Sequence, residues 1–123
     1  MINHVSIGVT DLERTKRFYD AVMAPLGYAQ TFSGDGYMAY GGDRTQLYIA
    51  HSENVPTPHP RSGVHFCFDA PSREAVDAFH AAGLAHGGTD NGAPGLRPEY
   101  HPSYYGAFVI DPDGWRLEAY FGG

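Results

Sequence analysis

The sequence predicts an α+β fold of two tandem βαβββ modules, with helices on one face of mixed sheets curved around a central cup. Three observations predict it. His4-Val5-Ser6-Ile7-Gly8-Val9 opens the chain and leads into a helical pattern, and His65-Phe66-Cys67-Phe68-Asp69-Ala70 does the same 61 residues later. Gly42-Asp43-Arg44-Thr45-Gln46 is echoed 72 residues on by Gly114-Trp115-Arg116-Leu117-Glu118. Residues 51–62, between the halves, are rich in Pro and polar side chains, the composition of a linker. Each half therefore offers a His early and a Gln or Glu late. A quasi-two-fold axis between the halves would bring all four to one central place.

The elements follow in order. A first strand is expected from about Ile2 to Val9. Thr10-Asp11-Leu12-Glu13 reads as a capping box, with Thr10 at the N-cap and Glu13 three residues on. Leu12, Thr15, Phe18, Tyr19, Val22, Met23 and Leu26 recur at three-to-four spacing, so a helix is expected over roughly 11–24, ended by Pro25 and Gly27. Strands near 28–33, 36–40 and 45–50 are separated by Ser33-Gly34-Asp35-Gly36 and Gly41-Gly42-Asp43.

After the linker the pattern restarts with a strand at 63–69. Pro71-Ser72 opens a helix with Ala75, Val76, Phe79, Ala82 and Leu84 on its apolar side, and Gly87-Gly88 stops it. The Gly/Pro-rich stretch 91–98 is too long for a tight turn and is expected to be an active-site loop. At least two strands, near 104–110 and 115–121, close the second half, joined by the hairpin signal Asp111-Pro112-Asp113-Gly114. The expectation is one domain over residues 1–123, with modules at about 1–55 and 62–123.

Composition narrows the function classes. With 42% hydrophobic residues the chain is expected to fold as an ordinary globule. No apolar run approaches the ~20 residues of a membrane span. A net charge of −6 offers no basic field for a phosphate backbone, so nucleic-acid binding is not expected. The single cysteine, Cys67, excludes an internal disulfide, and with no secretory pattern at the N-terminus the expected location is cytoplasmic.

Strand parity then sorts the side chains. Val5, Ile7 and Val9 oppose His4, Ser6 and Gly8; Leu47 and Ile49 oppose Gln46 and Tyr48. Phe66 and Phe68 oppose His65, Cys67 and Asp69; Leu117, Ala119 and Phe121 oppose Arg116, Glu118 and Tyr120. A single strand of this kind fits a sheet face turned to water equally well. Four strands agreeing at repeat-related positions favour a site. Two neutral imidazoles and one carboxylate form the facial ligand set of Fe(II), which also suits Mn, Zn, Ni or Co, and three protein ligands leave positions open for substrate.

These segments resemble the vicinal oxygen chelate superfamily, which includes glyoxalase I, bleomycin-resistance proteins, extradiol dioxygenases and fosfomycin-resistance thiol transferases. The carriers are Asn3 to Val9, Asp11-Leu12-Glu13 with Phe18-Tyr19, Gly63-Val64-His65-Phe66, and Asp111-Pro112-Asp113-Gly114 with Leu117-Glu118. The resemblance implies metal ligands at His4, His65 and Glu118. The fourth glyoxalase ligand falls on Gln46, a weaker neutral donor, which is instead expected to contact substrate. Ser6 falls where the fosfomycin enzymes place a hydroxyl that helps activate substrate. His101, Tyr104 and Tyr105 are candidates for the supporting His and Tyr of the dioxygenases, and Glu118, Ser6 and Tyr105 form the implied catalytic set. Tyr48, Tyr120, His101 and Arg97 are expected to line the pocket.

The implied function is a glyoxalase-like metalloenzyme of lyase or isomerase type, chelating a small oxygen-bearing substrate and stabilising an anion. A thiol transferase using a cosubstrate such as glutathione, an extradiol dioxygenase, and a non-catalytic drug-binding protein are the alternatives. A homodimer with sites near its interface is implied as well.

Overall fold

The computed structural model describes residues 1–55 and 57–123. Pro56, in the expected linker, lies outside the described residues. The elements run β1 (Val5–Val9), α1 (Leu12–Met23), β2 (Ala29–Gly34), β3 (Tyr37–Gly41), β4 (Thr45–His51), β5 (Phe66–Asp69), α2 (Arg73–Ala85), β6 (Thr89–Leu96), β7 (Tyr105–Ile110) and β8 (Arg116–Phe121). The fold is thus α+β with the βαβββ order in both halves.

Each module has its own four-stranded mixed sheet, ordered β1-β4-β3-β2 and β5-β8-β7-β6. The first strand of each lies parallel to the last, Val5 opposite Leu47 and Cys67 opposite Glu118. Parallel neighbours need a crossover, and the helix after each first strand begins it. Each sheet ends at its first strand, so among the described residues no ladder joins the modules.

One core serves both halves. Ile7, Val9, Leu47 and Ile49 of the first sheet, Phe18, Tyr19 and Val22 of α1, Val76 and Phe79 of α2, and Val109, Leu117 and Ala119 of the second sheet form one buried cluster. Each large side chain fully buried there contributes about 1.5–3 kcal/mol. α1 packs on α2. The opposite, polar faces of the two sheets therefore turn outward.

A hydrogen-bonded clasp joins the halves. The β7–β8 turn closes with Gly114 N donating to Asp111 O (3.0 Å), and Gly114 takes φ +106°, which suits glycine. Asp113 Oδ1 accepts from Thr10 N (3.2 Å) and Thr10 Oγ1 (2.8 Å), and pairs with Arg14 at 3.0 Å. Tyr19 Oη donates to the buried Asp111 Oδ2 (2.7 Å), and Trp115 Nε1 to Gly8 O (2.8 Å). This clasp corrects the capping-box expectation. Thr10 is drawn across to Asp113, and Asp11 becomes the N-cap of α1, accepting from Arg14 N at 3.0 Å.

Two further expectations are corrected. The stretch 91–98 is mostly β6, an edge strand whose pairing with β7 is irregular around Gly92 and Gly95. An edge position tolerates Pro94, and the irregularities absorb the glycines. Leu84 is 44% exposed, because α2 turns Ala75, Val76, Phe79 and Gly83 inward instead.

Candidate metal centre

β8 carries Glu118 into a nearly closed position, 2% exposed. Its carboxylate is held at both oxygens. Oε1 lies 2.9 Å from His65 Nε2, and Oε2 accepts from the Tyr104 hydroxyl. Burying a carboxylate is costly unless it is paired and hydrogen-bonded, and these two partners meet that need. Desolvation, reinforced by the Glu118 hydrogen bond, raises the Tyr104 phenol, so it stays a donor at neutral pH.

The two histidines share one arrangement. His65 Nδ1 is 3.1 Å from Gly63 O, and His4 Nδ1 is 2.7 Å from Asn3 Oδ1. Oxygens that accept at Nδ1 fix the proton there and leave Nε2 as the lone-pair nitrogen, the usual support of a metal-binding imidazole. For neutral His65, that lone pair then faces a carboxylate oxygen at 2.9 Å. A proton or a cation must stand between them. Two ligands at ~2.1 Å from a common ion, about 90° apart, are themselves ~3 Å apart, so the pair fits a divalent ion.

The remaining expected residues divide between the two polar faces. His4, Ser6 and Tyr48 line one depression with Gly36, Tyr37 and Ala50, the His4 ring standing edge-on to Tyr48 at 4.9 Å. His101 Nε2 lies 2.9 Å from Tyr120 Oη, and the Tyr104 and Tyr120 rings pack at a 43° tilt with centroids 4.3 Å apart, placing all three with Glu118. Gln46 lines a cleft at the module boundary with Met23, Tyr28, Tyr40 and Cys67. Arg97, just past the end of β6, folds back on that strand, donating to Gly95 O (3.0 Å) and Ala93 O (2.8 Å), with its guanidinium over Phe108. Cys67 is a surface residue beside Glu118, and desolvation at sulfur, then the Glu118 charge, pushes its thiol up to about 12.

Tyr105 sits elsewhere. Its hydroxyl donates to Asp77 of α2 (2.6 Å) and Arg73 lies over its ring, on the face away from Glu118. Tyr104 is the phenol at the carboxylate, and register arithmetic identifies it. Phe108 lies opposite Glu118 and Gly106 opposite Tyr120, so even-numbered positions here share the Glu118 face. Gly106 makes the room: a Cβ there would stand 3.1 Å from Glu118 Oε2 and 3.2 Å from the Tyr104 ring.

Within one chain His4 does not join His65 and Glu118. No three of His, Cys, Asp or Glu gather into a metal-holding group among the described residues. The shared core is the reason, since it turns the two polar faces outward.

Comparison with known proteins agrees with the fold. A glyoxalase/bleomycin resistance protein from Albidiferax ferrireducens T118 is 34% identical, with 96% of this chain and 95% of that one covered at a TM-score of 0.83. A putative glyoxalase from Bacillus halodurans is 29% identical, with 98% and 94% covered at a TM-score of 0.72. The uncharacterized protein YqjT of Bacillus subtilis (strain 168) is 28% identical over 127 residues, 95% of each chain. No helix among the described residues is long and apolar enough to cross a membrane. The model of the Glyoxalase/Bleomycin resistance protein/Dioxygenase superfamily matches residues 1–119, and the chain belongs to that superfamily.

Proposed function

We propose that this protein is a glyoxalase-like metalloenzyme of lyase or isomerase type acting on a small substrate with two neighbouring oxygens. His65 and Glu118 would hold one divalent ion (Fe, Mn, Ni, Co or Zn), with His4 supplied by a second copy of the chain. The observation that carries this reading is the His65 Nε2–Glu118 Oε1 pair at 2.9 Å, anchored behind by Gly63 O and Tyr104. When bound, the ion supplies Lewis-acid stabilisation of a developing oxyanion. The chain's own residues orient the ligands, and Ser6, Tyr48 and Tyr120 present hydroxyls to whatever occupies the polar faces.

Two observations support a homodimer. The sequence predicts strands from Ile2 and from Gly63, yet β1 and β5 begin only at Val5 and Phe66, three residues later in both. The residues left over contain His4 and His65, beside Ile2 and Val64, which are 73% and 44% exposed. A partner strand along these edges would extend both ladders and cover both apolar side chains.

The test is metal content of tag-free protein, with His65→Ala and Glu118→Gln alongside. About one ion per chain in the parent, lost from both variants, supports the reading. A parent that takes up none of the five metals on titration sinks it. A sequestering role for a planar cationic ligand would then lead, supported by the exposed Phe32–Tyr37 stack (4.8 Å, 17°) near His4 and the net charge of −6. Oxygen uptake with catechols would point to a dioxygenase instead.

A further inference from the structure

We propose that Tyr104 is a positioning residue for the metal ligand Glu118, holding its carboxylate so that only Oε1 is offered to the ion. The inference rests on the metal reading above. A free carboxylate can bind an ion through one oxygen or both. Here the outer oxygen, Oε2, already accepts from the Tyr104 hydroxyl, while Oε1 faces His65 Nε2.

The arrangement is built on several sides. Tyr104 packs on Tyr120 at 4.3 Å and edge-on to His101 at 5.2 Å. Its backbone N donates to His101 O (3.1 Å) and its carbonyl accepts from Arg97 N (2.8 Å), fixing the turn that carries it. Gly106 beneath leaves space for the phenol and Oε2 to meet, as a Cβ would crowd both.

With an ion bound, such a hold on Oε2 would leave one more position for substrate. A carboxylate bound through both oxygens would occupy one of the positions a two-oxygen substrate needs. Held at Oε2 by Tyr104, Glu118 would offer the ion Oε1 alone. Partners of this kind behind a ligand typically affect metal affinity by about 10–100-fold.

The experiment is Co(II) titration of the full-length parent, Tyr104→Phe and Tyr105→Phe, followed by visible absorption, with folding checked by circular dichroism. Tyr104→Phe keeps the ring and its packing on Tyr120 and His101 and removes only the hydroxyl. The expected result is Co(II) affinity weaker by about 10–100-fold with a changed d–d spectrum in Tyr104→Phe, and parental behaviour in Tyr105→Phe. A parent that binds Co(II) with Tyr104→Phe matching it in affinity and spectrum overturns the positioning role alone. A parent that binds no Co(II) overturns the metal reading, and this role with it. Equal weakening in both variants also overturns it, since Tyr105 bonds Asp77 and not Glu118.

Discussion

If one ion is held by His65 and Glu118 of one chain and His4 of another, complementary defects in two chains rescue each other. His4→Ala and Glu118→Gln are placed on separately tagged chains and co-expressed, and doubly tagged dimers are isolated. In a two-fold dimer each centre takes its first-module ligand from one chain and its second-module ligands from the other. The mixed dimer then has one centre with both changes and one with neither. Its expected metal content is about half that of the parent. Either homodimer lacks a ligand in both centres. Even a supporting partner of a ligand is worth about 10–100-fold in affinity, so the washed homodimers should retain little metal. Elemental analysis with native mass spectrometry reads the result. A loaded parent with a mixed dimer as empty as the homodimers would refute the shared centre. The geometry behind the prediction is the separation in one chain, where His4 meets Asn3 and Tyr48 while His65 meets Glu118.

Other outcomes follow from the clasp and the carboxylate cradle. Tyr19→Phe strips a buried donor from Asp111 Oδ2 and should cost about 1–3 kcal/mol in urea unfolding, with the metal content of the parent kept. Burial raises the Asp111 carboxyl above its ordinary 3.8, outweighing the hydrogen bonds from Tyr19, Trp115 and Asp113. The folded state therefore binds the proton more tightly than the unfolded one. The Asp111 contribution falls as pH rises from 3.8 through the raised value and is flat above it; Asp111→Asn should abolish that slope in unfolding free energies measured across the acid range. Gly106→Ala pushes a methyl toward Glu118 Oε2 and Tyr104, and should cost about 1–3 kcal/mol in thermal or urea unfolding while weakening metal uptake.

Much of the fold was legible because its signals are local. The first strand of each module appears at the repeated segment, though starting just after its His, and the apolar spacing of α1 and the Asp111–Gly114 turn appear where the pattern puts them. Errors arose where a distant residue intervened. Nothing near Thr10 in sequence shows that Asp113, 103 positions away, will take its hydroxyl and leave Asp11 to cap the helix. Residues 91–98 read as a loop because Gly and Pro ordinarily break strands, and only the edge position of β6 makes them tolerable.

The candidate site was legible one face at a time. Parity placed His65, Glu118 and Tyr120 together, and His4, Ser6 and Tyr48 together. Between Tyr104 and Tyr105, adjacent and chemically identical, only the register with β8 decides. Arg97 reads as a pocket arginine only if 91–98 is a loop; placed just past the end of β6, its guanidinium serves the carbonyls of that strand.

What parity could not supply was the relation between the two faces, and here stability and function pull on the same geometry. Both apolar faces pack on the α1–α2 layer, and that single core makes the chain fold. The same packing keeps His4 from His65 and leaves the outer edges of β1 and β5 without a ladder partner among the described residues. An unpaired edge flanked by exposed Ile2 and Val64 invites association. On the proposed reading, a second copy satisfies the edges and the ligand set in one step. Substitutions that weaken edge pairing should then lower metal affinity without touching a ligand, and metal should in turn tighten the dimer. The two affinities are linked, and a metal-dependent change in dimer dissociation constant, by analytical ultracentrifugation, would measure that coupling directly.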